Sequence, residues 1–359
     1  MKRTALLMLL ALICLSCRRE LEYNYHPFCE ISVKVDWSLM DESPSGMSVY
    51  LYPEDGKEPT VLLTNQVDET RVSVREGVYN VLVINQSPSE FGTIRFSGMN
   101  RFETACAIAA PQSYDWIDNA EGRTDDEPTV CHPEPLAVAV HHRLVITAEM
   151  VAEYQAAVKA TARDLRAAAF LELQPQPVIS TATVQVRVNG IQNIRSVRGY
   201  FSGMSAGCLL AERRYLKSTV SHILTDWEIL HDDNDYTKGE IKNRFTTFGC
   251  YDTKGEATEG RSLSRADALS NQLYLDLLLV DNATIVSTSF WVGDRIEMQQ
   301  EELSIRVEVG TDTGTDTPSG DDPNQPLPLP DVKPENGTSS GFDATVEDWG
   351  EEIEIDIDV

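Results

Sequence analysis

Short segments with a strict two-residue alternation of apolar and polar side chains recur along this chain at intervals of about ten residues, and nothing else limits its fold as strongly. In Ile31-Ser-Val-Lys-Val-Asp-Trp37, Ile31, Val33, Val35 and Trp37 share one face, and Ser32, Lys34 and Asp36 the other. A pleated strand puts alternate side chains on opposite sides, so this segment reads as a half-buried strand. Residues 47–52 form another, closed by the turn Pro53-Glu-Asp-Gly56. Residues 71–74, a tight glycine turn at Gly77-Val-Tyr79, and residues 81–84 and 93–96 continue the cadence. Strands so short and so spaced predict an all-β sandwich, not a βαβ fold.

Residues 111–135 read as a long, acidic, irregular excursion, after which strands resume at 136–139 and 144–148. One stretch has helical periodicity: over residues 149–170, Val151, Tyr154, Val158 and Leu165 fall near one face among alanines and charges. The expectation is one accessory helix packed over a sandwich edge. Pro175 and Pro177 interrupt the chain, which sets a boundary at 172–180 between an N-terminal unit (17–171) and a C-terminal one (172–310). In the latter, Val184, Val186 and Val188 alternate up to an Asn189-Gly190 turn, with further strands near 200–201, 241–248, 274–280, 285–291 and 303–309. Phe96-Ser-Gly-Met99 recurs as Phe201-Ser-Gly-Met204, which fits two units of similar build.

The amino terminus carries an address. Met1-Lys2-Arg3 is a basic start, residues 5–15 are an apolar core, and Ser16-Cys17 supplies a small residue before a cysteine. Eleven apolar residues fall short of the ~20 a membrane-spanning helix needs, so residues 1–16 read as a signal peptide. Cleavage before Cys17 would leave it as the acylated terminus of an outer-membrane lipoprotein; cleavage as an ordinary secretory leader is the alternative. Cys14 stands where such signals usually carry leucine. The chain has 30 basic and 57 acidic residues, a net charge of −27. That surface repels phosphate backbones and anionic headgroups, which excludes nucleic acid as a partner and leaves acyl chains to hold the membrane. Cys29, Cys106, Cys131, Cys208 and Cys250 are odd in number and irregular in spacing, so they form no disulfide framework. Cys208 and Cys250 read as buried thiols, with one or two incidental bridges left open.

Residues 311–341 contain six prolines among Thr, Asp, Ser and Gly, with only Leu327, Leu329 and Val332 apolar, and read as a linker or loop. The terminal region, 342–359, then ends in Glu351-Glu-Ile-Glu-Ile-Asp-Ile-Asp-Val359. Ile353, Ile355, Ile357 and Val359 occupy one face, and Glu354, Asp356 and Asp358 the other. An isolated strand has no ladder and needs a sheet to join. It either folds back to complete its own second domain or adds to another molecule's sheet.

Several segments together resemble the Mfa-type, fimbrillin-like surface lipoproteins of Bacteroidetes, in particular a subgroup described only as a domain of unknown function. They are Ser16-Cys17-Arg-Arg-Glu20, the Val35-Asp-Trp37 strand, Met47-Ser-Val-Tyr-Leu-Tyr-Pro-Glu-Asp-Gly56, Gly77-Val-Tyr-Asn-Val-Leu-Val-Ile-Asn85, Gly190-Ile-Gln-Asn-Ile-Arg-Ser196 and Phe201-Ser-Gly-Met204. The resemblance implies two tandem transthyretin-like β-sandwiches and a place in a fimbria-like assembly, with other fimbrillin-like subunits as partners. It also implies a donor face made of Ile353, Ile355, Ile357 and Val359. Stalk subunits of that superfamily are matured at a basic site after the N-terminal strand; here Arg71, Arg75 and Arg101 are merely scattered, which points to an anchor or accessory subunit.

Catalytic signatures are missing from the sequence, where no GxSxG, HExxH, P-loop or GxGxxG stands in a strand–helix context, so enzyme activity and cofactors are not expected. His141-His142 would face opposite ways on a strand and cannot chelate together. His231-Asp-Asp-Asn-Asp235 lacks the glycine and distal glutamate of a calcium loop, and Asp312, Asp316, Asp321 and Asp322 read as solvated charges, so no metal site is expected. Trp37 and Trp291 lie in strand patterns and read as core. Trp116 and Trp227 lie beside acidic loops and are the candidate contacts for a glycan or host surface, the alternative function being glycan capture in polysaccharide uptake.

Overall fold

The computed structural model of the chain describes residues 27–113, 116, 127–160, 165–250, 271–299, 303–310 and 324–334. In chain order the first half contains β1 (Cys29–Val35), β2 (Met47–Pro53), β3 (Thr60–Thr64), β4 (Glu69–Val74), β5 (Gly77–Asn85), β6 (Ile94–Ser97), β7 (Cys106–Ala109), β8 (Thr129–Val130) and β9 (Ala137–Ile146). Helix α1 (Ala148–Lys159), β10 (Ala169–Leu173) and β11 (Gln176–Pro177) close it. The second half contains β12 (Ser180–Asn189), β13 (Ile194–Ser205), β14 (Gly207–Leu209), β15 (Arg214–Tyr215), β16 (Thr219–Leu224), β17 (Glu228–His231) and β18 (Lys238–Thr247). It continues with β19 (Gln272–Leu279), β20 (Ile285–Trp291), β21 (Ile296–Gln299), β22 (Ser304–Val309) and β23 (Leu327–Pro328).

These strands build an all-β sandwich fold. A three-stranded sheet, β10-β1-β4, faces a five-stranded sheet, β11-β9-β5-β2-β3. Their shared core holds Ile31, Val33, Val35 and Trp37 against Val49, Leu51, Val81 and Val83, with Val151 and Tyr154 of α1 at its edge. The unbroken apolar run Val81-Leu-Val-Ile84 has a physical reason: strands covered on both faces do not alternate. Val81 and Val83 enter this core, whereas Leu82 and Ile84 enter a second one. That second core runs on through the other half of the chain, between β20-β19-β13-β16-β8 and β17-β18-β12-β22-β21.

The two halves are joined by backbone as well as by side chains. β7 pairs with β14 of the second half (Cys208↔Ala107), inside a four-stranded sheet β15-β14-β7-β6. β8 pairs with β16 (Ser221↔Thr129). β7 and β8, grouped by sequence with the first unit, therefore hydrogen-bond to the second.

Several elements differ from their sequence-based expectation. The helix is shorter than 149–170: Thr147 caps α1, its Oγ1 accepting from the Met150 amide at 3.2 Å, and α1 ends at Lys159, while Phe170 lies in β10, which pairs in parallel with β1. The segments 136–139 and 144–148 are one strand, β9, with a register shift against β5 near His141-His142-Arg143, where Arg143 takes a φ of 59°. Gly77-Val-Tyr79 is the start of β5, not a turn. β3, whose residues are mostly exposed or half-buried, carries no clean alternation and escaped detection. Gly98 and Gly203, the glycines of the repeated Phe-Ser-Gly-Met, both take positive φ (64° and 78°), which explains why glycine stands at each.

Candidate functional site

The flank of the second sandwich where the described chain ends gathers most of the features that bear on function. Among the described residues β20 and β21 are the edge strands of its two sheets, joined by only four residues through Val292 and Gly293–Arg295, which keeps the two edges on one flank. Between them Val286, Ile296 and Met298 sit half-buried at the margin of the core. Ile285 and Trp291 are 54% and 48% exposed at the two ends of β20, so Trp291 is not the core residue its strand pattern suggested. β20, Ile-Val-Ser-Thr-Ser-Phe-Trp, contains no charge, proline or glycine.

Residues 324–331 dock beside this flank. β22 pairs in parallel with β12 at Thr181 to Val186, and β23 continues the same lane at Val188 and Asn189. Leu327 is buried in the core, and the Leu329 amide donates to the Asn189 carbonyl at 2.9 Å. The Asn193 side-chain amide donates to the Pro330 carbonyl at 3.1 Å and to Asp331 Oδ1 at 3.2 Å, while its own carbonyl accepts from the Val280 amide at 2.9 Å. Part of the expected 311–341 linker is therefore seated on the sandwich, and the two leucines noted in it hold it there. Asp312, Asp316, Asp321 and Asp322 lie outside the described residues, as do Cys17 and the terminal face of Ile353, Ile355, Ile357 and Val359.

Asp276 of β19 anchors a polar network on the outer side of the same sheet. Its carboxylate accepts from Arg198 Nε and Nη2 at 3.1 and 3.0 Å, from the Tyr274 hydroxyl at 2.7 Å and from Ser287 Oγ at 2.7 Å. Burial pushes its pKa up, but the bonds from Ser287, Tyr274 and Arg198 outweigh burial and hold it below the ordinary carboxylate value. The Arg198 guanidinium in turn lies 4.7 Å from the centroid of the Trp116 ring. Trp227 is also half-buried, its indole N–H donating to the Leu224 carbonyl at 3.1 Å and its ring packed against the core. Neither candidate glycan contact is an exposed platform: Trp116 stacks on a cation and Trp227 closes the core margin. Trp37 is core, its indole donating to the Val67 carbonyl at 3.0 Å.

The remaining titratable clusters are accounted for locally. The acidic segment at 231–235 is the hairpin turn between β17 and β18, where the Asp235 carboxylate accepts from the Thr237 hydroxyl and amide and pairs with Lys238 at 3.0 Å. Those bonds lower its pKa to about 2. The described residues contain no group of three or more His, Cys, Asp or Glu able to hold a metal. Cys29, Cys106 and Cys208 are buried thiols, and Cys131 and Cys250 are half-buried thiols, none of them in a disulfide among the described residues; for Cys250 that is less burial than its surroundings in sequence suggested. A pair that sequence reasoning did not single out is half-buried His132 and fully buried His222, with ring centroids 5.7 Å apart beside Phe245.

Comparison with known proteins adds the following. The family model described as "Domain of unknown function (DUF5119)" matches residues 16–225. A curated Bacteroides ovatus protein named "Putative fimbrium anchoring subunit Fim4B" is 22% identical over 356 residues, covering 96% of this chain and 94% of that protein. The crystal structure of a protein described as a putative adhesin from Bacteroides ovatus superposes with a TM-score of 0.52 at 19% identity, covering 82% of this chain and 95% of that one. The Porphyromonas gingivalis fimbrial anchor protein Mfa2 superposes with a TM-score of 0.41 at 11% identity, covering 80% of this chain and 93% of that one.

Proposed function

The chain belongs to the DUF5119 family, and we propose that it is a non-catalytic, lipid-anchored structural component of a fimbria-like assembly at the cell surface, serving as its anchor. The observation that carries this reading is the match, over 96% of this chain and 94% of its relative, to a protein named as a putative fimbrium anchoring subunit.

The fate of β1 supports it. β1 is the middle strand of its sheet, paired in parallel with β10 and antiparallel with β4, and its side chains fill the first core. From residue 35 to residue 56 there is no lysine or arginine, so a protease that cuts at basic residues finds no site in the loop that follows β1. A subunit that keeps β1 keeps Cys17 and the acyl chains it would carry. Two or three such chains, each burying CH₂ groups worth ~0.8 kcal/mol apiece, make membrane attachment durable. Ile353, Ile355, Ile357 and Val359 remain the proposed face for strand addition or domain closure. Glycan capture through Trp116 and Trp227 draws less support, because the rings are engaged on Arg198 and on the core margin.

The test is the isolation of outer-membrane complexes, run without boiling, from cells carrying the intact chain, a Cys17→Ala variant and a deletion of residues 342–359. The anchor reading expects the intact chain in the membrane fraction with fimbrial subunits and Cys17→Ala released from it. An intact chain that is never found with a fimbrial subunit would sink the proposal.

A further inference from the structure

We propose that the edge which β20 and β21 present among the described residues is the seat of the chain's own C-terminal segment, residues 351–359, which adds as a strand alongside β20 and closes the second sandwich. This rests on the terminal segment acting as a strand and deepens that reading by assigning its acceptor and its direction of use.

Natural sheets protect their edges with charges, prolines, bulges or very short strands. β20 has none of these over seven residues, although the chain carries 57 acidic residues with which to do so. Half-buried Val286, Ile296 and Met298 leave an apolar strip between the two edge strands. A strand that lies in such a gap needs one apolar face for the core and one polar face for water. Residues 353–359 have that make-up and the same length as β20: Ile353, Ile355, Ile357 and Val359 would cover the strip, and Glu354, Asp356 and Asp358 would face out.

The path of the chain also favours its own edge over a neighbour's. The docked residues Pro330 and Asp331 are held by Asn193, which bonds to Val280. Val280 lies at the end of β19, and the turn through Asn282 leads directly into Ile285 of β20. The chain therefore leaves the described structure at the end of the sandwich where β20 begins. The sixteen residues from 335 to 350 reach at most about 55 Å when extended, enough to enter alongside β20 in either direction.

Two measurements on the full chain test this. The first is hydrogen–deuterium exchange of residues 285–291 in the full chain and in an Ile355→Asp/Ile357→Asp variant, with β12 as the internal control. The expected result is exchange in β20 at least about tenfold faster in the variant, with β12 unchanged. Equal rates in β20 would overturn the proposal. The second, independent of whether that variant folds well, places a photo-crosslinking amino acid at position 289 of the otherwise intact chain. A crosslink to residues 351–359 within a monomer supports closure of the chain's own sandwich. A crosslink between two chains, or none to that segment, overturns it. Either failure, with fimbrial subunits still recovered alongside the intact chain, would leave the anchor reading standing.

Discussion

His222 is fully buried, with Nε2 3.1 Å from Thr247 Oγ1 and no hydrogen-bond partner at Nδ1. Burial, helped by the neighbouring His132, lowers its pKa from 6.5 to about 3. A histidine whose folded-state pKa lies below its unfolded value must be neutral to fold. Its contribution is therefore complete above about pH 6.5 and shrinks by roughly 1.4 kcal/mol per pH unit as acid is added. By pH 5 the loss is about 2 kcal/mol, before the carboxylates begin to titrate. Thermal unfolding followed from pH 7.5 to pH 5 should show the midpoint falling below pH 6.5. His222→Phe, which fills the same aromatic cluster, should flatten most of that slope, with His132, also lowered chiefly by burial, giving the remainder. A slope unchanged in the variant would refute the assignment. Asp276 makes a prediction of the opposite kind. Asp276→Asn at pH 7 removes the charge that orients Arg198, and chemical denaturation should register a loss of about 2–3 kcal/mol. Neither residue stood out in the sequence, because each depends on a partner far along the chain, Thr247 at 25 positions from His222 and Arg198 at 78 from Asp276. Trp291 was misplaced for the same reason: alternation says which residues share a face, but not that the face lies at a sheet's open edge.

Among the elements, strands with one dry face and one wet face were readable, since burial imprints its period on the sequence. Residues 285–291 were placed to the residue as β20, and β1, β2, β12 and β22 within a few positions. What escaped detection follows from physics as well. β14, β15 and β17 are two to four residues long, too short to carry a period, and β3 is an exposed edge. The helix was over-extended because alanines and charges continue past Lys159, whereas parallel pairing with β1 claims residues 169–173 for a strand. The proline-rich segment misled in the most useful way. Composition marks 311–341 as linker, yet Leu327 is 2% exposed and β23 extends the lane of β22 along β12. Leu327→Ala should therefore cost about 2–4 kcal/mol in urea or thermal unfolding, the range for a buried aliphatic truncation. A cost below about 0.5 kcal/mol, typical of surface positions, would mean that the segment is not seated.

At the scale of the molecule, the decisive question is whether two sandwiches make two folding units. The apolar core that contains Leu82 and Ile84 of β5 also contains Phe201, Phe245, Leu275 and Val307 from the second half. The sheet β15-β14-β7-β6 takes two strands from each side of the 172–180 boundary. Proline placement and strand spacing point to a boundary at 172–180, but a shared core has no local signature, and so the coupling was invisible before the structure. Unfolding either half alone would strip the partner of buried apolar surface at roughly 25 cal/mol per Å², a cost that ties the two transitions together. Differential scanning calorimetry of the mature chain should therefore show a single transition, with calorimetric and van't Hoff enthalpies in agreement. Gly207 offers a way to break the coupling. It faces β7 so closely that a Cβ there would lie 2.2 Å from the Ala107 carbonyl oxygen. Gly207→Ala must push β14 away from β7, whereas the first core, built from β1, β2, β4, β5, β9, β10 and α1, does not include that position. The variant should split the single transition in two, the lower belonging to the second half, while the near-native upper one reports the first sandwich. Two transitions already present in the unaltered chain would show that the shared core is too weak to couple the halves. In an anchor, such coupling would carry a load applied at the second sandwich through to the strand that leads to Cys17.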